Sequence, residues 1–203
     1  HPASATDIQP SPRRPADDMT VQGLILADGD LADLDAVMRV MNDSFDRRYG
    51  EAWTAPQCAG LLPMPGVWLS LARDARGIIG FALSRIVAQE AELLLLAVRR
   101  SAQRQGVGKS LLDRFTADAK QRGADRLHLE VREGNHAVKL YERSGFALIG
   151  RSRNYYCCAD GRCFDALTHA RAGSARRRRL RYDVGGALRR HRQPQRELVA
   201  GVA

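Results

Sequence analysis

The chain of 203 residues has neither a long apolar run nor a targeting segment at its start. Its longest uninterrupted apolar stretch, residues 93–98, is far shorter than the roughly 20 residues that span a bilayer. The first residues also lack the succession of basic, apolar and small side chains that marks a secretory signal. These absences predict a cytoplasmic protein that makes no contact with a membrane.

Cysteine is scarce, with only Cys58, Cys157, Cys158 and Cys163 in the chain. Four cysteines are too few for a dense disulfide framework, and no two of them have the C-x-x-C spacing of zinc or redox sites. We therefore expect no bound metal, and we expect free thiols in a reducing compartment.

Lysine is rare as well, since arginine supplies 29 of the 32 basic residues. An arginine run is therefore weaker evidence for a nucleic-acid partner here than in most proteins. Ten arginines follow residue 170 against Asp183 and Glu197, a net charge of +8 out of +9 for the whole chain. Residues 1–170 carry only +1, so the body of the protein is not a basic nucleic-acid binder by composition.

The two ends of the chain differ in composition from the middle. Residues 1–19 are rich in proline, serine and aspartate, and we expect a disordered leader there. Residues 171–203 lose the apolar periodicity and are expected to form a disordered, arginine-rich tail. A weak RNA contact through this tail and a solvated tail without a partner are the two alternatives. Residues 20–170 remain as one domain.

Apolar periodicity within residues 20–170 predicts alternating strands and helices. The expected strands are residues 21–26, 67–72, 78–87, 92–98, 126–132, 146–151 and 164–169. The expected helices are residues 31–41, 108–122 and 135–144, and a loop is expected around Trp53 and Pro56. This order predicts a mixed fold with a strand-helix-strand-helix segment in the middle.

A glycine-rich turn, QRQGVGKS, lies between a buried strand and an amphipathic helix. Glycines at Gly106 and Gly108 leave room for backbone N–H groups to point at a ligand, and a helix N-terminus favours phosphate. A P-loop is excluded because Gln103 replaces its first glycine, and a dinucleotide fingerprint is excluded because Leu111 replaces its last. The glycines alone fit either a pyrophosphate site or a tight turn.

The pattern Q-x-x-G-x-G in this turn matches the coenzyme A signature of the GNAT superfamily of N-acetyltransferases. The segments EAELLLLAV, LHLEVREGN, KLYERSGF and RNYYCCADGRCFDA resemble the RimI-type members, which acetylate the N-terminal alanine of a ribosomal protein. The resemblance covers roughly residues 20–170 and is strongest from Glu90 onward.

This resemblance implies an α+β GNAT fold, with a mixed, mostly antiparallel sheet, a splayed strand pair and flanking helices. It implies acetyl-CoA as co-substrate, without a metal. The pantetheine arm is expected along Leu96, Ala97 and Val98, with a further contact at Asn135. The pyrophosphate is expected on the turn and the first helical residues, namely Arg104, Gln105, Gly106, Val107, Gly108, Lys109 and Ser110.

The resemblance also assigns the catalytic groups. Glu130 matches the proton acceptor and Tyr141 the proton donor, while Trp53, Tyr155 and Tyr156 are expected to line the acceptor groove. The simpler alternatives are a solvated Glu130 paired with Arg132 and ordinary packing roles for the aromatic side chains. Two departures stand out: the spacing from Asn135 to Tyr141 is one residue short, and YYCC lacks the usual proline.

Three functions are consistent with these features. The first is a peptide N-terminal acetyltransferase that transfers acetyl directly in a ternary complex, with a ribosomal protein as one acceptor. The second is an acetyltransferase for a small amine, which would favour an acidic acceptor pocket. The third is a catalytically degenerate binding protein whose tail docks on RNA.

Overall fold

The structure, a computed structural model, describes residues 23–158 and 160–173. Its strands are β1 Ile25–Gly29, β2 Val67–Asp74, β3 Gly77–Val87, β4 Glu90–Val98, β5 Arg126–Arg132, β6 Ala147–Cys157 and β7 Cys163–Ala172. Its helices are α1 Leu34–Ser44, α2 Ala55–Leu61, α3 Val107–Gln121 and α4 Val138–Arg143. Within the described ranges, no helix is both long and apolar enough to cross a membrane.

The seven strands form one sheet in the order β1-β2-β3-β4-β5-β7-β6. Neighbouring strands run antiparallel except for β4 and β5, which are parallel. Parallel neighbours need a crossover, and α3 supplies it. The predicted α+β class, with a mixed and mostly antiparallel sheet, is confirmed.

The strands β4 and β5 separate before they end. Their pairing stops at Leu93 and Leu129, so the last residues of both strands have no partner in each other. At the same place β4 carries a bulge at Leu94, which is skipped in the pairing with β3. A bulge bends a strand and re-aims its side chains. The predicted splayed pair is therefore present, and it opens toward the end of β4.

Two hydrophobic clusters cover the two faces of the sheet. On one face α3 packs through Val107, Leu111, Leu112, Phe115 and Ala119. On the other face α1 and α2 pack through Val37, Val40, Met41 and Cys58. The bulge in β4 lets this strand serve both clusters, since Leu93 belongs to the α3 side while Leu95 and Ala97 belong to the α1 side.

The prediction of a loop around Trp53 and Pro56 is wrong for Pro56, because α2 begins at Ala55. Thr54 caps this helix, and a reciprocal bond joins the Thr54 N–H to the Gln57 side chain at 2.7 Å. Proline is tolerated in the first turn, where its missing N–H is not needed. The T-x-x-Q pattern was the sequence signal for this helix.

The chain ends of the fold also differ from the prediction. The first strand is Ile25–Gly29, whereas residues 21 and 22 lie outside the described residues. The last strand continues to Ala172, two residues beyond the expected end of the domain. The expected leader and the tail from residue 174 onward also lie outside the described residues.

The prediction of free thiols is wrong for one pair of cysteines. Cys157 and Cys163 are paired across β6 and β7 and form a disulfide, with Cα atoms 4.1 Å apart. The sequence prediction ended one strand at residue 151 and began the next at 164, which left both cysteines in a loop. The longer strands bring them directly opposite each other. Cys58 and Cys158 are free and buried.

Candidate active site

The glycine-rich turn ends in a helix N-terminus with free backbone donors. Gly106 precedes α3 with φ of 86°, a left-handed conformation that favours glycine. The Ser110 N–H donates to the Gly106 carbonyl, which is the first bond of the helix. The N–H groups of Val107, Gly108 and Lys109 come before this bond and have no helical carbonyl to reach. Free N–H donors at a helix N-terminus favour an anion, and these three lie next to the splayed strands.

The end of β4 lies beside this turn. A side-chain carbon on Gly108 would lie 3.8 Å from the Val98 side chain and 3.4 Å from Leu140, so the helix approaches both β4 and α4 closely. Leu96 and Val98 are half-buried and Ala97 is buried. Beyond Leu93 this strand has no pairing with β5, which leaves a backbone edge for an extended ligand.

Glu130 lies on β5 just past the point where β5 leaves β4. Its neighbours Leu129 and Val131 face the α3-side cluster, so the alternation of the strand turns Glu130 to the other face. Burial and the negative charge of Glu92 raise the pKa of Glu130, and a hydrogen bond from Tyr155 partly offsets them. A carboxylate with a raised pKa is a better proton acceptor near neutral pH.

Tyr141 lies in α4, where it is buried at 7% exposure and packs edge-on against Phe146. Burial, and secondarily the charge of Glu51, raises the pKa of its phenol well above the usual value. The hydroxyl therefore keeps its proton throughout the neutral range. Such a group can protonate a leaving group that becomes strongly basic as it departs.

The tyrosine pair of β6 lies next to an irregular stretch of the hairpin. The pairing of β6 with β7 jumps between Ser152 and Tyr156, and Asn154 has φ of 51°. The Asn154 N–H donates to the Asp165 carboxylate at 3.0 Å, which fixes this excursion. Tyr155 and Tyr156 pack edge to face with ring centroids 5.0 Å apart.

Tyr156 lies within electrostatic range of both catalytic candidates, Glu130 and Tyr141. Burial raises the pKa of its phenol, and Glu130, Tyr155, Glu51 and Tyr141 contribute further. The structure thus brings together residues of β5, α4 and β6 that are far apart in sequence. Trp53 is half-buried and packs against the α1-side cluster.

A charged cluster that the sequence analysis missed lies beside these groups. Glu51, in the loop before α2, is paired with Arg132 at 3.1 Å and accepts a hydrogen bond from Asn135 at 3.1 Å. Arg132 is therefore the partner of Glu51, and the alternative pairing with Glu130 is wrong. No sequence motif points to Glu51, because its partners are more than 80 residues away.

The described residues contain no group of three or more histidine, cysteine, aspartate or glutamate side chains that could hold a metal ion. The site instead offers helix N–H donors, a free strand edge, the half-buried carboxylate of Glu130, and the phenols of Tyr141, which is buried, and Tyr156, which is half-buried. These groups fit acetyl-CoA: an extended arm for the strand edge and a pyrophosphate for the helix end.

An open strand pair beside a helix N-terminus with free backbone donors is the arrangement expected of a protein that binds a nucleotide-linked acyl carrier. The model of the acetyltransferase (GNAT) family matches residues 34–146. The match covers more than half of the chain, so the chain belongs to this family, and the resemblance noted from the sequence is confirmed.

Curated relatives point to a subgroup. The chain is 43% identical over 83 residues to the ribosomal protein bS18-alanine N-acetyltransferase of Escherichia coli K12, covering 40% of this chain and 56% of that protein. The enzyme of the same name from Haemophilus influenzae is 43% identical over 79 residues, which is 39% of this chain and 54% of that protein. The matched part spans a little over half the length of these relatives.

Two further comparisons extend the picture. The crystal structure of the ribosomal-protein-S18-alanine N-acetyltransferase from Escherichia coli superposes with a TM-score of 0.68 at 29% identity, covering 77% of this chain and 98% of that chain. The mycothiol acetyltransferase of Jonesia denitrificans is 32% identical over 120 residues, which is 58% of this chain and 36% of that protein.

Proposed function

We propose that the protein transfers the acetyl group of acetyl-CoA to the α-amino group of a protein N-terminus, of the ribosomal-protein alanine type. The observation that carries this proposal is the placement of Glu130 and Tyr141. Glu130 is a half-buried carboxylate and Tyr141 is a buried phenol, and both lie within electrostatic range of Tyr156. The similarity to enzymes named for alanine acetylation supports the choice of acceptor.

The reaction follows from the chemistry of an amine and a thioester. Acetyl-CoA supplies an activated acetyl group when bound. Glu130 takes the proton that the acceptor amine must lose, directly or through a water molecule. The amine nitrogen forms the new bond to the carbonyl carbon, the carbon–sulfur bond breaks, and Tyr141 gives its proton to the leaving sulfur. About a tenth of an α-amino group is already neutral at pH 7, so a modest base suffices.

Each predicted site residue has a part in this proposal. The strand edge of Leu96, Ala97 and Val98 would hold the pantetheine arm. The turn and helix start would hold the pyrophosphate through Arg104, Gln105, Gly106, Val107, Gly108, Lys109 and Ser110. Tyr155, Tyr156 and Trp53 would line the acceptor side. Asn135 would contact the arm only by giving up or sharing its bond to Glu51.

The alternative acceptor is a small-molecule amine, as the name of the mycothiol enzyme illustrates. Such an acceptor favours an acidic pocket, and Glu51 and Glu92 do lie near the site. However, Glu51 is paired with Arg132 at 3.1 Å and Glu92 with Arg85 at 2.6 Å. Both acids are therefore largely neutralised, which weakens the case for a polyamine pocket.

The test is a side-by-side assay of purified protein with acetyl-CoA. The acceptors are a short peptide that begins with alanine, the same peptide with a blocked N-terminus and a free lysine, and a panel of small amines. Thiol release and peptide mass are measured. Acetylation at the free N-terminus alone is expected. Turnover only with small amines, or none with any acceptor, would overturn the proposal.

We also place the protein in the cytoplasm, where ribosomal proteins are available as acceptors. That compartment is reducing, so the disulfide between Cys157 and Cys163 found in the structure would be open to reduction there. An RNA contact through the arginine-rich tail remains part of the proposal. Residues 174–203 carry a net +7, so their RNA affinity should fall steeply with salt. Equal RNA affinity with and without residues 174–203 would exclude it.

A further inference from the structure

Glu51 holds two different elements of the site at once. Its Oε2 atom lies 3.1 Å from the Nε atom of Arg132, at the end of β5. Its Oε1 atom accepts a hydrogen bond of 3.1 Å from the Asn135 side chain, in the turn before α4. The side chain of Glu51 is only 10% exposed and that of Arg132 is 11% exposed. The contact with Asn135 is a hydrogen bond, whereas the contact with Arg132 Nε is an ion pair without hydrogen-bond geometry, so one largely buried carboxylate contacts two elements of the site.

The arginine in this arrangement is enclosed by aromatic rings. The guanidinium of Arg132 lies 3.8 Å from the centroid of the Tyr49 ring and 5.2 Å from that of Phe164. Those two rings also pack edge to face, 5.4 Å apart. The cluster ties the loop before α2 to β5 and to the β6–β7 hairpin. A buried cation left without its carboxylate is strongly unfavourable, so Glu51 holds this arrangement in place.

Asn135 continues the connection into α4. Its Oδ1 atom accepts a hydrogen bond of 2.9 Å from the Ala137 N–H, immediately before the helix. The Ala137 carbonyl in turn accepts from the Tyr141 N–H at 3.1 Å. The position of the Tyr141 backbone is thus connected to Glu51 through one side chain and one turn of backbone.

We propose that Glu51 is a positioning residue for acetyl transfer. Its contacts connect the loop before α2 to β5 and to the start of α4, and these contacts fix the position of Tyr141 relative to Glu130. This inference rests on the proposed function for its catalytic meaning. Small displacements of reacting groups reduce rates steeply, so loss of the Glu51 contacts should affect turnover more than binding.

Electrostatics supports the same placement. The charge of Glu51 contributes to the raised pKa of both Tyr141 and Tyr156, so its carboxylate lies within range of both phenols. Loss of that charge should lower the pKa of Tyr141.

The experiment is a double-variant cycle with Glu51→Ala and Asn135→Ala. We measure kcat and KM for an alanine-terminated peptide, together with the dissociation constant of acetyl-CoA. Glu51→Ala should lower kcat about tenfold or more while KM for the peptide changes little. The double variant should lose less kcat than the product of the two single effects, because both changes break the contact between Glu51 and Asn135. Glu51→Gln, which keeps the size of the side chain, serves if the alanine variant does not fold.

Asp118→Asn is the matched control. Asp118 is 13% exposed and pairs with Arg114 at 2.9 Å within α3, so it is as buried as Glu51 but remote from the site. It should lower stability while kcat stays unchanged. Additive effects of Glu51→Ala and Asn135→Ala on log kcat, or a normal kcat in the Glu51 variants, would overturn the inference.

Hydrogen exchange separates this inference from the proposed function. Amides of residues 48–54 and 135–141 should lose protection together in Glu51→Gln and keep it in Asp118→Asn. This result does not depend on turnover. Unchanged protection in Glu51→Gln would contradict the positioning role of Glu51, even if the protein is active. A wild-type protein that acetylates no peptide would instead contradict the proposed function, whatever the exchange data show.

Discussion

The coenzyme side and the acceptor side of this site are built in different ways. The proposed coenzyme side is one continuous segment, from the end of β4 through the glycine-rich turn into α3, and most of the groups proposed to bind the coenzyme there are backbone atoms. The acceptor side is assembled from side chains of β5, α4, β6 and the loop before α2, linked by Tyr156 and Glu51. Backbone groups are fixed by the helix itself, whereas these side chains depend on one another.

This difference separates the expected effects of substitutions. Changes on the coenzyme side should alter the affinity for acetyl-CoA, because they disturb a preformed set of donors. Changes on the acceptor side should alter turnover and leave coenzyme binding nearly intact. The two sides can therefore be told apart by measuring binding and rate separately.

Tyr141→Phe should give the largest effect on turnover. The substitution removes the hydroxyl and keeps the buried ring, so packing against Phe146 is preserved. We expect kcat to fall by roughly 10² or more, since a positioned general acid contributes roughly 10²–10⁴-fold to the rate. Acetyl-CoA should still raise the melting temperature as in the wild-type protein. A near-normal kcat would move the proton donor to another residue, with Tyr156 the first to test.

Gly106→Glu should abolish coenzyme binding. A side chain here must adopt φ of 86°, and the added carboxylate repels phosphates. Saturating acetyl-CoA at 100 times its dissociation constant should stabilise the wild-type protein by about 2.7 kcal/mol. That stabilisation should vanish in the variant, as thermal unfolding would show.

Gly106→Gln is the control for Gly106→Glu, because it has the same size and the same backbone strain without the charge. It should retain part of the stabilisation by acetyl-CoA. Equal loss in both variants would assign the effect to the backbone. Undiminished binding of acetyl-CoA to Gly106→Glu would show that the pyrophosphate does not bind at this turn.

The local structure of the proposed coenzyme side could be predicted from the sequence because its signals are local. The glycines, the amphipathic α3 and the apolar β4 are contiguous, and Gly106 does adopt the left-handed conformation that its residue type favours. Most strands and the two main helices also follow from apolar periodicity. The bulge at Leu94 was not predictable, since an unbroken apolar run shows no change of face.

The acceptor side was only partly predictable, because its contacts are long-range. Glu130 and Tyr141 came from a family resemblance, and their burial and mutual arrangement needed the tertiary structure. Glu51 was missed since a single acid in a loop resembles any solvated residue. The cysteine pair was missed because the ends of β6 and β7 were placed too early, and a pairing across a hairpin depends on register.

Glu130→Gln should slow the reaction roughly tenfold at neutral pH, less than Tyr141→Phe, since part of the acceptor amine is already neutral. In the wild-type protein the rate should fall as the pH drops through the pKa of Glu130, which lies above the usual carboxyl value. The limb due to Glu130 should be missing from the variant's pH profile. A limb of the same shape in both proteins would assign the proton acceptor elsewhere.

The same substitution should stabilise the fold at neutral pH. Because the pKa of Glu130 is raised by folding, its contribution to stability is greatest below the ordinary carboxyl pKa and is lost as the pH rises through the raised value. A neutral glutamine side chain at this position would carry no such penalty. Melting temperatures should therefore favour Glu130→Gln at neutral pH and converge with the wild type in acid. A less stable variant at neutral pH would contradict the sign of the shift.

Cys157→Ser should have the smallest effect on the reaction and tests whether the acceptor side depends on the hairpin end. The disulfide to Cys163 closes a loop with a sequence separation of only six. Cross-linking so short a loop stabilises the fold by about 2 kcal/mol when oxidised. The variant should therefore have a lower melting temperature than the oxidised protein and the same melting temperature as the reduced protein.

Turnover should change less than about twofold, because Glu130, Tyr141 and the bond from Asn154 to Asp165 do not involve the cysteines. Thiol titration and kcat before and after reduction check both points. A large loss of turnover on reduction would show that Tyr155 and Tyr156 are held by the cross-link rather than by the strand excursion at Asn154.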